Sequence, residues 1–121
     1  MQKKKLTIKD FIDSCSLVFK TYQYDVNLSK NRTTLWHFSA RKSEKKYMIY
    51  CAPQYAKTKG IVKIALKKIP KGSRLVVVCS RYGATEKMEA DTMGYSLIDY
   101  NTLEKYGLEM IDAKARLTEA A

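Results

Sequence analysis

Apolar residues recur along this chain with two different periods. Ile8, Phe11, Ile12, Cys15, Val18, Phe19 and Tyr22 fall three or four residues apart, the spacing of one buried helix face. Thr7 stands just before them, with Asp10 three residues on. That pair predicts a helix opened by a capping box. The period then drops to two. Residues 24–28 alternate and predict a short strand, and Ser29 to Arg32 form a basic turn. Thr33 to Arg41 predicts a longer strand, with Trp36, Phe38 and Ala40 on one side and Leu35, His37 and Ser39 on the other. Lys42 to Lys45 predicts a charged hairpin turn. Lys46 to Cys51 is the returning strand, with Tyr47, Ile49 and Cys51 facing away from Met48 and Tyr50, and Pro53 ends it.

Helical spacing returns from about Ala56 to Lys68. Ile61, Ala65 and Ile69, helped by Val62 and Leu66, are its expected buried stripe. The stretch from Leu75 to Cys79 is unbroken in its apolar character, with Gly72 before it and Gly83 after it. Such a run predicts a strand buried on both faces, and therefore helices above and below the sheet. Thr85 is expected to cap a short helix with Ala84, Met88 and Met93 as its apolar contacts, and Gly94 to stop it. Tyr95 to Asp99 predicts the last strand. Asp99 or Asn101 is expected to cap a final turn carrying Leu103 and Tyr106, closed by Gly107. The order is α-β-β-β-α-β-α-β-α. It predicts an α/β fold of three layers around a mixed five-stranded sheet: three strands as a meander, then a crossover from Arg74 to Asp99 between parallel strands. The organisation expected is one domain over residues 1–121, with a basic lead-in at 1–6, a core at 7–107 and a peripheral helix or tail at 108–121.

Length supports that expectation, since 121 residues can bury a core without metal or disulfides. No apolar run approaches the roughly 18 residues that cross a bilayer, and the lysine-rich first residues lack the apolar stretch of a secretory signal. The three cysteines are an odd number among apolar neighbours. They read as small buried hydrophobes in a reducing, cytoplasmic setting. With one histidine and no paired cysteine motif, a Cys/His zinc site is not expected.

Charge changes the picture most. Residues 1–81 hold 19 basic and 4 acidic side chains, a net of +15, whereas residues 82–121 hold 4 basic and 8 acidic, a net of −4. A field so one-sided suits polyanions, nucleic acid first. The expected contacts are Arg32, Arg41, Lys42, Lys45, Lys46, Lys57, Lys59, Lys63, Lys67, Lys68 and Lys71.

The element order and several landmarks resemble the restriction-endonuclease-like fold, the PD-(D/E)xK superfamily, and within it the Mrr-type branch. The likeness runs over residues 7–107. Phe11 onward leads to Tyr22-Gln23-Tyr24-Asp25-Val26, Leu75 to Val78 follows as the apolar strand, and Ser96-Leu97-Ile98-Asp99 precedes a leucine-containing turn. The resemblance implies a restriction-endonuclease-like core. It also implies a strand-borne Asp, then Gln or Glu and Lys two residues apart; the acidic pair would bind a divalent metal that activates water at a phosphodiester, and the Lys would orient or activate that water. His37 stands on the Asp position, Tyr50 on the Gln/Glu position and Ala52 on the Lys position. None of these offers the hard oxygen that Mg²⁺ prefers. The resulting expectation is a degenerate nuclease fold, without cofactor, that binds nucleic acid, DNA before RNA. Two alternatives stand beside it. One is a Mg²⁺- or Mn²⁺-dependent nuclease whose ligands have moved, Asp25 being the candidate. The other is a protein-interaction subunit using its basic face, including a homodimer. His37 reads either as a partly buried strand histidine or, beside Tyr50, as a base or phosphate contact.

Overall fold

A computed structural model describes residues 7–28 and 35–108. Its elements are α1 (Ile8–Thr21), β1 (Asp25–Leu28), β2 (Phe38–Lys42), β3 (Lys45–Ala52), α2 (Lys59–Lys68), β4 (Ser73–Cys79), α3 (Ala84–Met93), β5 (Ser96–Asp99) and α4 (Tyr100–Tyr106). The strands lie side by side in chain order, β1-β2-β3-β4-β5. β1, β2 and β3 pair antiparallel; β3, β4 and β5 pair parallel. β2 alone therefore runs against the rest.

Alternation along the strands sorts the core into two clusters. Phe38, Ala40, Tyr47, Ile49, Val76, Val78 and Ile98 face α1 and α4, where Phe11, Cys15, Phe19 and Leu103 meet them. Met48, Tyr50, Ala52, Leu75, Val77, Cys79 and Leu97 face α2 and α3, where Val62, Ala65 and Ala90 close the layer. Two parallel crossovers that step the same way across a sheet put their helices on the same face when both have the same hand. The fold is thus α/β, with a five-stranded mixed sheet and four α-helices among the described residues. β3 takes the middle of the sheet. β4, the unbroken apolar run, lies next to it and is buried from Leu75 to Cys79.

Local chemistry sets the boundaries. The Asp10 N–H donates to Thr7 Oγ1 at 3.1 Å, and the Thr7 N–H donates to Asp10 Oδ2 at 3.3 Å, so the expected capping box opens α1. Asp99 caps α4, its Oδ1 accepting the Thr102 hydroxyl at 2.6 Å. Gly94 ends α3 at φ 94, the left-handed position that favours glycine.

Four expectations change. Of the strand expected over 33–41, residues 33 and 34 lie outside the described residues and β2 runs Phe38–Lys42. Residues 35–37 form a bend, and Trp36 packs with Leu35 on the α2/α3 side rather than with Phe38. The helix expected from Ala56 starts at Lys59, behind a 3-10 turn at Tyr55–Lys57. Its stripe is Val62 and Ala65, with Leu66 and Ile69 partly buried; Ile61 is 45% exposed. Gly83, not Thr85, caps α3, because the Glu86 carboxylate reaches back to the Gly83 N–H at 3.0 Å. Finally, Ala90 fills the α3 contact and Met88 is exposed. The expected lead-in at 1–6, the turn at 29–32 and the segment after Leu108 lie outside the described residues. All three cysteines are buried and free.

Candidate functional site

Strand register divides the expected site residues between two ends of the sheet. At one end, Lys42 pairs with Lys45 across the β2–β3 turn, Arg41 pairs with Lys46, and Lys46 lies beside Ser73. α2 finishes at Lys68, and residues 69–72 return the chain to Ser73. That geometry gathers Lys67, Lys68 and Lys71 with the hairpin cations. Arg41, Lys46, Lys67, Lys68 and Lys71 are exposed and have no ion pair among the described residues. Lys42 is already engaged: its Nζ donates to the Tyr22 carbonyl at 3.1 Å and lies 5.2 Å from the Tyr24 ring centre. Lys45 sits at the same turn.

Sequence reasoning missed one cation at this end. Arg74 is half-buried beside Tyr47, and its Nε is buried without a hydrogen-bond partner. Its place at the head of the apolar run Leu75–Cys79 hid it, although the first residues of a strand often stand clear of the core.

The other expected lysines lie elsewhere. Lys63 is exposed in mid-α2. Lys59 starts α2 and is neutralised by α3, 3.8 Å from Glu86 and 3.5 Å from Glu89. Lys57 stands before α2, at the opposite end of the sheet. Arg32 lies outside the described residues.

That opposite end holds a cavity of about 450 Å³ at the carboxyl end of β3. His37, Tyr50 and Ala52, the three positions marked by the resemblance, all line it. Six residues of strand, about 20 Å, separate Ala52 from the basic end at Lys46. The His37 imidazole completes the broken edge of β2. Its Nδ1 accepts the Cys51 N–H at 2.8 Å, in place of a backbone carbonyl, while the backbone N–H of His37 donates to the Ile49 carbonyl at 2.8 Å. An Nδ1 that accepts leaves the proton of the neutral ring on Nε2. Burial holds the imidazole below its ordinary pKa, which favours that neutral ring. The ring lies 4.9 Å from that of Tyr50. Burial pushes the Tyr50 hydroxyl up, opposed by a hydrogen bond with Thr58.

Ile8, Pro53, Gln54, Lys57 and Thr58 complete most of the lining. Of these five only Lys57 was expected to contact a ligand, because the turn after Pro53 and the α1 terminus meet only in three dimensions. Among the described residues, no carboxylate lines the cavity and no group of three or more potential metal ligands forms. Asp25 pairs in register with Arg41 and so lies at the basic end, with Glu44 in the nearby turn. The sheet does not bring either to His37 or Tyr50. No family model, no curated protein and no solved structure matches the chain, so its function rests on the chemistry of its own two sheet ends.

Proposed function

We propose that the chain binds nucleic acid, duplex DNA first, through the end of the sheet carrying Arg41, Lys46, Lys67, Lys68, Lys71 and Arg74. On this reading it does not cut the strand it holds. One observation carries the proposal: Arg41, Lys46, Lys67, Lys68 and Lys71, from a hairpin, a helix end and a loop, share one end of the sheet, outnumber the carboxylates Asp25 and Glu44 there, and form no ion pair among the described residues. Like charges held together repel, and a phosphate backbone relieves that repulsion while releasing counterions. Contacts of this kind set affinity and register but carry little sequence information. The sheet order, with a three-stranded meander followed by parallel crossovers, is compatible with a restriction-endonuclease-like core, and the proposal takes it as one. At the two positions where that fold would carry its metal ligands stand an imidazole and a phenol, and at the position of its lysine stands a methyl group.

The test is binding to labelled duplex by anisotropy across a salt series, with EDTA, Mg²⁺ or Mn²⁺ and a denaturing gel in parallel. About six phosphate contacts predict a log–log salt slope near −5 and an intact strand in every metal. A slope near zero would sink the binding reading. Metal-dependent cutting would sink the non-cleaving part of it, and whether Asp25→Ala abolished that cutting would decide the moved-ligand alternative.

A further inference from the structure

The cavity at the carboxyl end of β3 is not needed by the function proposed for the other end, and its lining has a chemistry of its own. Crevices outside the carboxyl ends of parallel strands are where open α/β sheets take their ligands, and about 450 Å³ lies within the usual range for small-molecule sites. The lining divides into two parts. Ile8, Pro53 and the adjoining rings of His37 and Tyr50 offer flat, apolar surface. Lys57 offers an ammonium and Thr58 a hydroxyl, which donates to the Tyr55 carbonyl at 3.1 Å and must rotate to reach a ligand, with no carboxylate among the described lining residues to compete. Thr58 opens α2 without a side-chain cap, and α2 has no acidic residue in its first turn.

An anionic group on a flat ring fits both parts. We propose that this cavity binds a nucleoside monophosphate, with the phosphate on Lys57 and Thr58 and the base against the His37–Tyr50 ring pair and Pro53. The Gln54 amide, which both donates and accepts, lies in the same lining and can meet a base edge. This inference goes beyond the nucleic-acid reading and does not depend on it.

The full chain would be titrated with AMP, UMP, the matching nucleosides and inorganic phosphate. Binding would be followed by calorimetry and by the fluorescence of Trp36, the one tryptophan and the neighbour of His37. A nucleoside monophosphate is expected to saturate one site per chain, with nucleoside alone and phosphate alone each at least about tenfold weaker. Lys57→Ala is expected to weaken it about tenfold or more, as loss of a charge-assisted contact does. Lys68→Ala removes the same charge from the far end and is expected to leave it unchanged. Thr58→Val supplies a second pocket variant, and thermal unfolding of each variant separates lost binding from lost fold.

No saturation, phosphate binding as tightly as nucleotide, or equal weakening by Lys57→Ala and Lys68→Ala would each overturn the proposal. The last result would mean attraction to net charge rather than a site. Loss of duplex binding with nucleotide binding retained would overturn the proposed function and leave this inference standing.

Discussion

The two ends of the β2–β3 hairpin differ in almost every physical respect. The turn end is rich in exposed cations, of which Arg41, Lys46, Lys67, Lys68 and Lys71 have no ion pair among the described residues. The open end is concave and carries a neutral imidazole, a buried phenol and one lysine. The ordered strands are the same in both places, so the difference comes from what the sheet edge meets. At the turn, β3 has only just begun and its residues Lys45 and Lys46 are exposed. At its far end, β3 runs under α1 and the start of α2 and is buried through Ala52. A single strand thus serves a charged surface with its first residues and a cavity with its last.

That contrast can be broken first by charge. Replacing Arg41, Lys46, Lys67 and Lys68 together by Gln removes about four phosphate contacts. The salt slope should shrink by about 3.6, and duplex affinity near physiological salt should fall about a thousandfold. Lys57→Gln should shift that slope by no more than about one. Equal effects from the two proteins would erase the division into ends.

Next in size is a variant that should spare neither end. Phe38 is fully buried and meets the Phe19 ring edge-on at 5.5 Å. Phe38→Ala should cost about 3 kcal/mol in a denaturant titration, with both binding activities falling together as the folded fraction falls. Loss of one activity alone would show that the ends are less rigidly joined than the sheet implies.

The third test uses pH. Burial holds His37 below its ordinary value of 6.5, so around pH 6 the unfolded chain binds more protons there than the folded one. Stability contributed by the neutral ring is therefore present above about pH 6.5 and declines as pH falls through the lowered value, by at most about 1.4 kcal/mol per pH unit for one proton. His37→Gln keeps a side-chain acceptor for the Cys51 N–H and should flatten the urea midpoint between pH 7.5 and 5.5. An unchanged pH dependence would remove His37 as its source. The smallest effect belongs to Lys59→Ala. Its bridges to Glu86 and Glu89 are partly exposed, so stability should drop by less than about 1 kcal/mol. Duplex affinity should change little, because this lysine is already neutralised.

Much of the architecture was legible because period and punctuation agree. Thr7 with Asp10, Pro53, Gly94, Asp99 and Gly107 mark element ends in the chain itself, and the unbroken run at Leu75–Cys79 identified a doubly covered strand. The misses share a cause. Residues 35–37 alternate like a strand, yet the His37 side chain takes over a backbone hydrogen bond and the ladder stops at Phe38. α2 looked one turn longer because Tyr55–Lys57 is tightened into a 3-10 turn. Gly83 outranked Thr85 because the capping carboxylate of Glu86 needs only a backbone N–H to bond. Charge named most of the cations but not their neighbours. Period alone does not tell that Lys59 reaches α3 whereas Lys67 and Lys68 join the hairpin.

The short β2–β3 turn also bears on how the molecule comes together. Phe38 and Ile49 pair across 11 residues, whereas Tyr50 and Val77 pair across 27. The longer closure costs about 0.8 kcal/mol more in chain entropy, and hairpins form in about 1–10 μs. The hairpin is therefore expected to be among the earliest structure, and pulsed hydrogen exchange should protect its amides before those of β4 and β5. Part of the basic end would then exist almost from the start, while the cavity must wait for residues from α1, β3 and the approach to α2 to arrive. A nascent chain would present its cations before it could enclose a ligand.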